Sequence, residues 1–157
     1  MLQDGDKAPE FALPTDGKDR FELRKARPAV VYFYPKDDTS GCTNEAKDYS
    51  RLAAEFRKAG VAVVGISPDS VDSHRKFRVK HGLTIALAAD ADSHVAKAYG
   101  VWVEKSMYGR TYMGVERATF LIDAEGHIAR SWRKVKVAGH AEEVLAAAMT
   151  MTSVRPK

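Results

Sequence analysis

The chain alternates short apolar runs with longer amphipathic segments. PAVVYFY, residues 28–34, has β-branched and aromatic residues without a charged position and ends at Pro35, which is typical of a central strand buried on both faces. VAVVGIS, residues 61–67, repeats this pattern, and IALAAD, residues 85–90, predicts a third, shorter strand. ATFLID and HIARSWR flank the turn sequence AEG and predict a hairpin near the C-terminus.

Amphipathic segments separate these strands. From Thr39 onward, apolar residues recur at helical spacing as far as Gly60, a suitable C-cap. SVDSHRKFRVKHG, residues 70–82, predicts an exposed basic helix that ends at a glycine. DSHVAKAYG, residues 92–100, predicts a short helix. HAEEVLAAAMT, residues 140–150, predicts a final amphipathic helix, after which the tail SVRPK is expected to fray.

The order of these elements predicts an α/β fold. A strand–helix–strand–helix run followed by a hairpin and a helix fits a central mixed β-sheet flanked by helices on both faces. FALPTDGKDRFEL, residues 11–23, adds an N-terminal β-hairpin, because two apolar runs flank a turn-rich centre. The arrangement resembles the thioredoxin-like fold, although other α/β layers produce the same periodicity. The chain has no repeats or low-complexity linkers, so we predict one domain over residues 1–157.

Composition narrows the function classes only slightly. The chain has 157 residues and a formal charge of +4, too small an excess to indicate nucleic-acid binding. The N-terminus lacks a signal-peptide pattern, and no apolar run is long enough to cross a membrane. A single cysteine excludes an intramolecular disulfide framework. We therefore expect a cytoplasmic protein that binds neither nucleic acid nor membrane.

The only cysteine, Cys42, lies in the stretch YPKDDTSGCTNEAKDYS, between a predicted strand and a predicted helix. If Thr39 or Ser40 is the N-cap, Cys42 lies in the first helical turn, where free backbone N–H groups and the helix dipole favour a thiolate. Free cysteines are also among the most buried residue types, so a structural role is the alternative. Position alone leaves both interpretations open.

The residues around Cys42 favour a chemical role. Pro35 ends the strand and fixes the direction of the loop. Thr39 offers a hydroxyl that can hold a small oxygen-containing substrate against the sulfur, cap the helix, or do both. Glu45 lies one turn beyond Cys42, where it can complete a capping box or anchor an arginine.

Pro35, Thr39 and Cys42 match the Pro-x-x-x-Thr-x-x-Cys motif of the peroxiredoxins. FYPKDDTSGCTNEA resembles the bacterioferritin-comigratory, or Q-type, class, and the similarity continues through GVWVEKSMYGRTYMGVERATFLIDAEGHI. The resemblance implies a thiol-dependent peroxidase that reduces hydrogen peroxide and organic hydroperoxides through a sulfenic acid at Cys42, without a metal or an organic cofactor. It implies that Pro35 shields the sulfur and that Thr39 positions the peroxide. It also implies that Arg117, the first residue of RATFLID and directly before the predicted strand, stabilises the thiolate and the charge that develops on oxygen.

The resemblance also bears on the reductant. Many members of the class carry a second cysteine five residues after the first, where this chain has Lys47. The chain thus resembles a one-cysteine member that is recycled by an external thiol donor such as thioredoxin, glutaredoxin or a low-molecular-weight thiol. Monomer and weak homodimer both stay open.

Other chemistry has less support in the sequence. The five histidines show neither His-Glu-x-x-His nor a cysteine partner, which favours surface positions over a metal site. Asp37 and Asp38 are expected to cap the following helix or to face water. HRKFRVKH, residues 74–81, is expected to be a solvated charged face. The alternative functions are a thiol redox sensor and a non-enzymatic binding module that uses this basic helix.

Overall fold

The structure is a computed structural model that describes residues 1–153. The described strands are β1 (Ala12–Leu13), β2 (Phe21–Glu22), β3 (Ala29–Phe33), β4 (Ala62–Ser67), β5 (Ala86–Ala89), β6 (Trp102–Met107), β7 (Arg110–Val115), β8 (Ala118–Ile122) and β9 (Ile128–Trp132). The described helices are α1 (Leu23–Ala26), α2 (Ser40–Arg51), α3 (Ala53–Lys58), α4 (Val71–His81), α5 (His94–Ala98) and α6 (His140–Ser153). None of these helices combines the length and the apolar content that a membrane crossing requires. The predicted fraying of SVRPK falls, beyond its first residue, outside the described residues.

A five-stranded mixed sheet forms the centre of the molecule, in the order β5-β4-β3-β8-β9. β4 runs parallel to both β3 and β5, whereas β8 runs antiparallel to both β3 and β9. Helices connect the parallel strands, because a parallel pair cannot be joined by a tight turn. The predicted mixed sheet and the central position of the first buried strand are confirmed.

β3 separates two apolar cores, and all of its residues are buried. Val31 and Phe33 belong to a core that Val95 of α5 also enters, on one face of the sheet. Val30 and Tyr32 belong to the opposite core, which α2, α3, α4 and α6 cover. A strand covered on both faces needs apolar side chains at every position, which explains its uninterrupted run. Helices therefore flank both faces of the sheet, as predicted.

The helix ends follow the sequence signals in part. Ser70 caps α4, since its hydroxyl oxygen accepts from the N–H of Ser73 at 3.0 Å, and Gly82 ends the helix with a φ of 64°. The segment 39–60, predicted as one helix, forms α2 and α3 instead. Leu52 separates them because its backbone, at φ −94° and ψ 4°, departs from helical geometry.

Two hairpins lie outside the central sheet. β1 and β2 pair antiparallel and confirm the N-terminal hairpin. The hairpin of β6 and β7 was not predicted, although Tyr108 and Gly109 form a two-residue turn with positive φ at both positions, 52° and 76°. Its strands are largely exposed, and the apolar side chains of Tyr108 in the turn and Met113 in β7 are exposed too. A hairpin that buries neither face does not alternate regularly between apolar and polar residues, and so its pattern is weak.

Three polar residues contradict the predicted surface positions. His74 is completely buried, and His140 and Asp37 are each 7% exposed. Their burial is tolerated because hydrogen bonds satisfy the polar atoms: His74 Nδ1 lies 2.7 Å from Asp37 Oδ2, and His140 Nε2 lies 2.9 Å from Thr119 Oγ1. The prediction of surface histidines was wrong at these two positions. Asp37 neither faces water nor caps α2, whose N-cap is Thr39.

Candidate active site

The single thiol lies at the start of α2, just after the loop that follows β3. Cys42 is the third residue of α2 and is 2% exposed. The first hydrogen bond of the helix runs from Thr43 N to Thr39 O at 2.8 Å, so the helical ladder does not use the N–H of Cys42. The predicted position of Cys42 in the first turn is confirmed, and both the free N–H and the dipole of α2 favour a negative charge there.

Thr39 occupies the N-cap but does not cap with its side chain. Its backbone is extended, at φ −91° and ψ 156°, and its hydroxyl makes no bond to an N–H of the first turn. Instead, Oγ1 donates to the carbonyl oxygen of Lys36 at 2.9 Å. Because this bond engages the hydroxyl proton, the lone pairs of the exposed Oγ1 remain for a donor from outside the protein.

Arg117 reaches the thiol from the segment that precedes β8. It lies between β7 and β8, directly before Ala118, which pairs with Phe33 at the end of β3. This antiparallel register carries the guanidinium back toward the start of α2, where Nη2 lies 3.4 Å from Cys42 Sγ. Gly41 leaves space for the approach, because a Cβ at this position would lie 3.2 Å from Nη2.

Glu45 anchors the arginine and does not form a capping box. With Thr39 as the N-cap, Cys42 and not Glu45 occupies the third helical position that a capping box uses. Glu45 Oε1 accepts from Arg117 Nη1 at 2.7 Å, whereas Oε2 has no hydrogen-bond partner among the described residues. Burial raises the pKa of Glu45 to about 7, although Arg117 opposes the shift. Near neutral pH the carboxyl therefore changes between two forms. The ionised form pairs with Arg117 and competes with the sulfur for its positive charge, whereas the neutral form leaves that charge to the sulfur.

Pro35 opens the loop that joins β3 to α2. The preceding residue, Tyr34, still donates its backbone N–H to Ile66 O at 3.0 Å. Proline has no N–H to continue this pairing, and so the chain leaves the sheet. Pro35 is half-buried. The position that often carries a second cysteine in the class holds an exposed Lys47 on α2.

The sequence did not reveal His140, a buried polar residue near Arg117. His140, at the start of α6, contacts Thr119 of β8 and lies edge-on to the ring of Trp132. Burial lowers the pKa of His140, and the positive charge of Arg117 acts in the same direction. No motif or spacing in the sequence marks this residue, because Thr119 and His140 meet only through tertiary packing.

One cluster of potential metal ligands occurs among the described residues. Asp90, Asp92 and His94 bring one ligand atom each to within 4.8 Å of one another. The carboxylate of Asp90 already accepts from the N–H groups of Val95 and Ala96, at 3.2 and 2.9 Å. The cluster thus serves the start of α5, as an acidic residue at a helix N-terminus commonly does.

Comparison with known proteins agrees with this arrangement. The chain matches the AhpC/TSA family over residues 5–131. It is 48% identical over 146 residues to a putative peroxiredoxin bcp of Coxiella burnetii, which covers 92% of this chain and 97% of the relative. Peroxiredoxin Q of Xanthomonas campestris is 45% identical with a TM-score of 0.85, over 90% of this chain and 91% of that chain. A structure of the X. campestris bacterioferritin comigratory protein, studied for its alkyl peroxide reduction activity, is 44% identical with the same TM-score, over 90% and 92% of the two chains. The chain belongs to the AhpC/TSA family and, within it, to the bacterioferritin-comigratory, Q-type peroxiredoxins, with a single cysteine.

Proposed function

We propose that the protein reduces hydrogen peroxide and organic hydroperoxides with Cys42 as its nucleophile. The observation that carries the proposal is the 3.4 Å contact between Arg117 Nη2 and Cys42 Sγ at the positive end of α2. A guanidinium and a helix N-terminus together stabilise a thiolate, which is the reactive form of cysteine. The alkyl peroxide reduction studied for the X. campestris relative supports organic hydroperoxides as substrates.

In the first step, the thiolate of Cys42 attacks one oxygen of the peroxide. The S–O bond forms as the O–O bond breaks, and the second oxygen leaves as hydroxide or alkoxide and takes up a proton. Sulfur loses two electrons and becomes a sulfenic acid, while the peroxide is reduced to water or an alcohol. The reaction needs neither a metal nor an organic cofactor.

The surrounding groups take different parts in this step. Arg117 Nη2 and the N–H of Cys42 donate to the peroxide oxygens as negative charge develops on them. Thr39 Oγ1, whose proton is engaged by Lys36 O, accepts from the peroxide O–H and so orients the O–O bond. Pro35 limits the access of water to the sulfur.

An external thiol completes the cycle, because Cys42 is the only cysteine of the chain. The donor thiol attacks the sulfenic sulfur, which releases water and leaves a mixed disulfide. A second donor thiol then attacks the mixed disulfide, which releases the thiolate of Cys42 and joins the two donor sulfurs in a disulfide. Thioredoxin, glutaredoxin and low-molecular-weight thiols are the donor classes we propose. We propose the cytoplasm as the compartment of the reaction, because these thiols are kept reduced there.

A peroxide-consumption assay with limiting protein and a panel of thiol donors tests the proposal. We expect many equivalents of peroxide to be consumed per protein with at least one donor, and none above background with Cys42→Ser. Consumption that stops at one equivalent with every donor would indicate a redox sensor. No consumption at all would leave a binding module as the function.

A further inference from the structure

The loop between Pro35 and Thr39 is held by a buried polar network that the proposed chemistry does not use. Its centre is the carboxylate of Asp37, whose side chain is 4% exposed. Oδ1 accepts from the hydroxyl of Tyr34 at 2.5 Å. Oδ2 accepts from the hydroxyl of Ser73 at 2.8 Å and lies 2.7 Å from His74 Nδ1. A buried carboxylate with so many partners fixes the loop firmly, because breaking any one bond leaves a buried polar atom unsatisfied.

His74 extends the network into the sheet. Its Nε2 lies 3.0 Å from the carbonyl oxygen of Ala88 in β5, and a carbonyl oxygen can only accept, so this nitrogen carries a proton. On the other side of the ring, Nδ1 lies 2.7 Å from the carboxylate of Asp37. The ring is therefore fixed at both nitrogens, and α4, β5 and the loop are joined through one side chain.

The peptide group between Lys36 and Asp37 links this network to the peroxide site. The N–H of Asp37 donates to Asp69 Oδ2 at 2.8 Å, and Ser67 donates to the same oxygen at 2.7 Å. The carbonyl of that peptide group belongs to Lys36 and accepts from the hydroxyl of Thr39. Because a peptide group is planar, fixing its N–H also fixes the direction of its carbonyl oxygen. The direction of the Lys36 carbonyl in turn determines where the lone pairs of Thr39 Oγ1 point.

A second, outer contact holds the loop to the same helix. Asp38, a non-glycine residue at a φ of 61°, accepts from Lys80 at 2.7 Å and from His81 at 2.8 Å. Such a backbone conformation is unfavourable unless its surroundings enforce it. The basic residues of α4, expected to be a solvated face, thus contact the loop that leads to Cys42.

We infer that Asp37 and His74 are positioning residues for peroxide reduction, which orient the hydroxyl of Thr39 through the Lys36–Asp37 peptide group. The inference rests on the proposed function, in which Thr39 accepts from the peroxide. It assigns no contact with substrate to either residue.

Two reactions of Cys42 separate positioning from general damage. Reduction of hydrogen peroxide requires Thr39, whereas alkylation by iodoacetamide requires only the thiolate. We expect Asp37→Ala to slow the reaction with peroxide by about 10- to 100-fold and to leave the alkylation rate within about twofold. Asp37→Asn should retain most of the peroxide rate, because its amide can donate to His74 Nδ1 and accept from Tyr34. Asp72→Ala, which removes an exposed acid of α4 outside the network, is the matched control.

A double-mutant cycle with Thr39→Val makes the test decisive. If the network acts through Thr39, Asp37→Ala should cost almost nothing in the Thr39→Val background. Equal costs in both backgrounds, or an equal loss in both reactions, would overturn the inference. If Asp37→Ala does not fold, Ser73→Ala takes its place in the cycle with an expected loss of several-fold, and an unchanged peroxide rate would overturn the inference equally. A wild-type protein no faster with peroxide than Cys42→Ser would instead refute the proposed function itself.

Discussion

Arg117 contacts both the sulfur of Cys42 and the carboxylate of Glu45, so its removal should affect the chemistry of the thiol directly. We expect Arg117→Met to slow the reaction of Cys42 with hydrogen peroxide by about 10²- to 10³-fold, because one donor to the developing charge is lost together with the counter-charge of the thiolate. Stopped-flow kinetics give the second-order constant. Arg27→Met is the matched control, since Arg27 also forms a 2.7 Å ion pair, with Glu10, and precedes β3 at the end of the strand opposite Cys42. Similar losses in both variants would argue against a catalytic role.

Thr39 should reveal its role through the chemistry of its side chain. Thr39→Val removes the hydroxyl and keeps the shape, so we expect a loss of about 10- to 100-fold in the peroxide rate constant. Thr39→Ser keeps the bond to Lys36 O and should retain much of the rate. Because the hydroxyl does not cap α2, the two variants should differ little in Tm. If Val and Ser gave the same rate constant, Thr39 would be a backbone cap only.

Glu45 predicts a pH-dependent stability. Its pKa rises from 4.5 to about 7 on burial, so between these values the folded state binds more protons than the unfolded chain. This carboxyl therefore lowers the stability as pH rises from about 4.5 to about 7. We expect Glu45→Gln to remove that contribution, as measured by calorimetric Tm against pH. His140, whose lowered pKa acts in the opposite direction, contributes equally to both proteins, so its contribution cancels when the Tm of the variant is subtracted from that of the wild type. Parallel curves for the two proteins would contradict the prediction.

Single residues also show how far the site could be predicted. The motif spacing located Cys42 and Thr39, because both lie on one continuous segment. Arg117 required the family resemblance, since a contact across 75 residues leaves no local pattern. Asp37 and His74 were assigned to the surface, because burial of a polar pair depends on partners that sequence spacing does not reveal.

Among the elements, β3 and β4 depend on one close contact. Tyr32 lies opposite Gly65 in the parallel register, and a Cβ on Gly65 would lie 2.6 Å from the Tyr32 ring. We expect Gly65→Ala to cost about 1–3 kcal/mol in the free energy of unfolding, because the packed ring cannot move aside freely. Gly17→Ala, whose Cβ would lie 3.5 Å from Thr15 Oγ1, is the control. Denaturant unfolding that gave equal midpoints for both variants would show that the ring adapts.

The elements were predicted well where their burial was uniform. β3 and β4 have apolar residues at nearly every position because helices cover both faces of the sheet. The β6–β7 hairpin was missed because its exposed strands carry no such pattern. The break at Leu52 was also missed, since the apolar spacing continues from α2 into α3 while the backbone does not.

For the whole molecule, the main consequence of a single cysteine is the fate of its oxidised form. A sulfenic acid without a donor can react with another copy of the protein or be oxidised further. We expect peroxide alone to give sulfenic acid and then, at higher dose, sulfinic acid, with little intersubunit disulfide because Cys42 is buried. A thiol donor should give a mixed disulfide and then the free thiol.

Intact-protein mass spectrometry and non-reducing gels, with and without donor, distinguish these species. Exposed Lys47 offers no thiol to intercept the sulfenic acid within the chain. A disulfide-linked dimer that dominates at low peroxide would contradict this prediction and would make Cys42 its own resolving partner across two subunits.

The separation of Cys42 and Arg117 by 75 residues also has a consequence for synthesis on the ribosome. The thiol emerges well before the guanidinium that contacts it, and β8, which carries Arg117 into place, pairs with β3 only when most of the chain has been made. A domain of this kind folds as a unit, so the two groups meet late. The nascent chain therefore carries an ordinary cysteine, and the sulfur becomes a target for peroxide only once the protein that can use the reaction is almost complete.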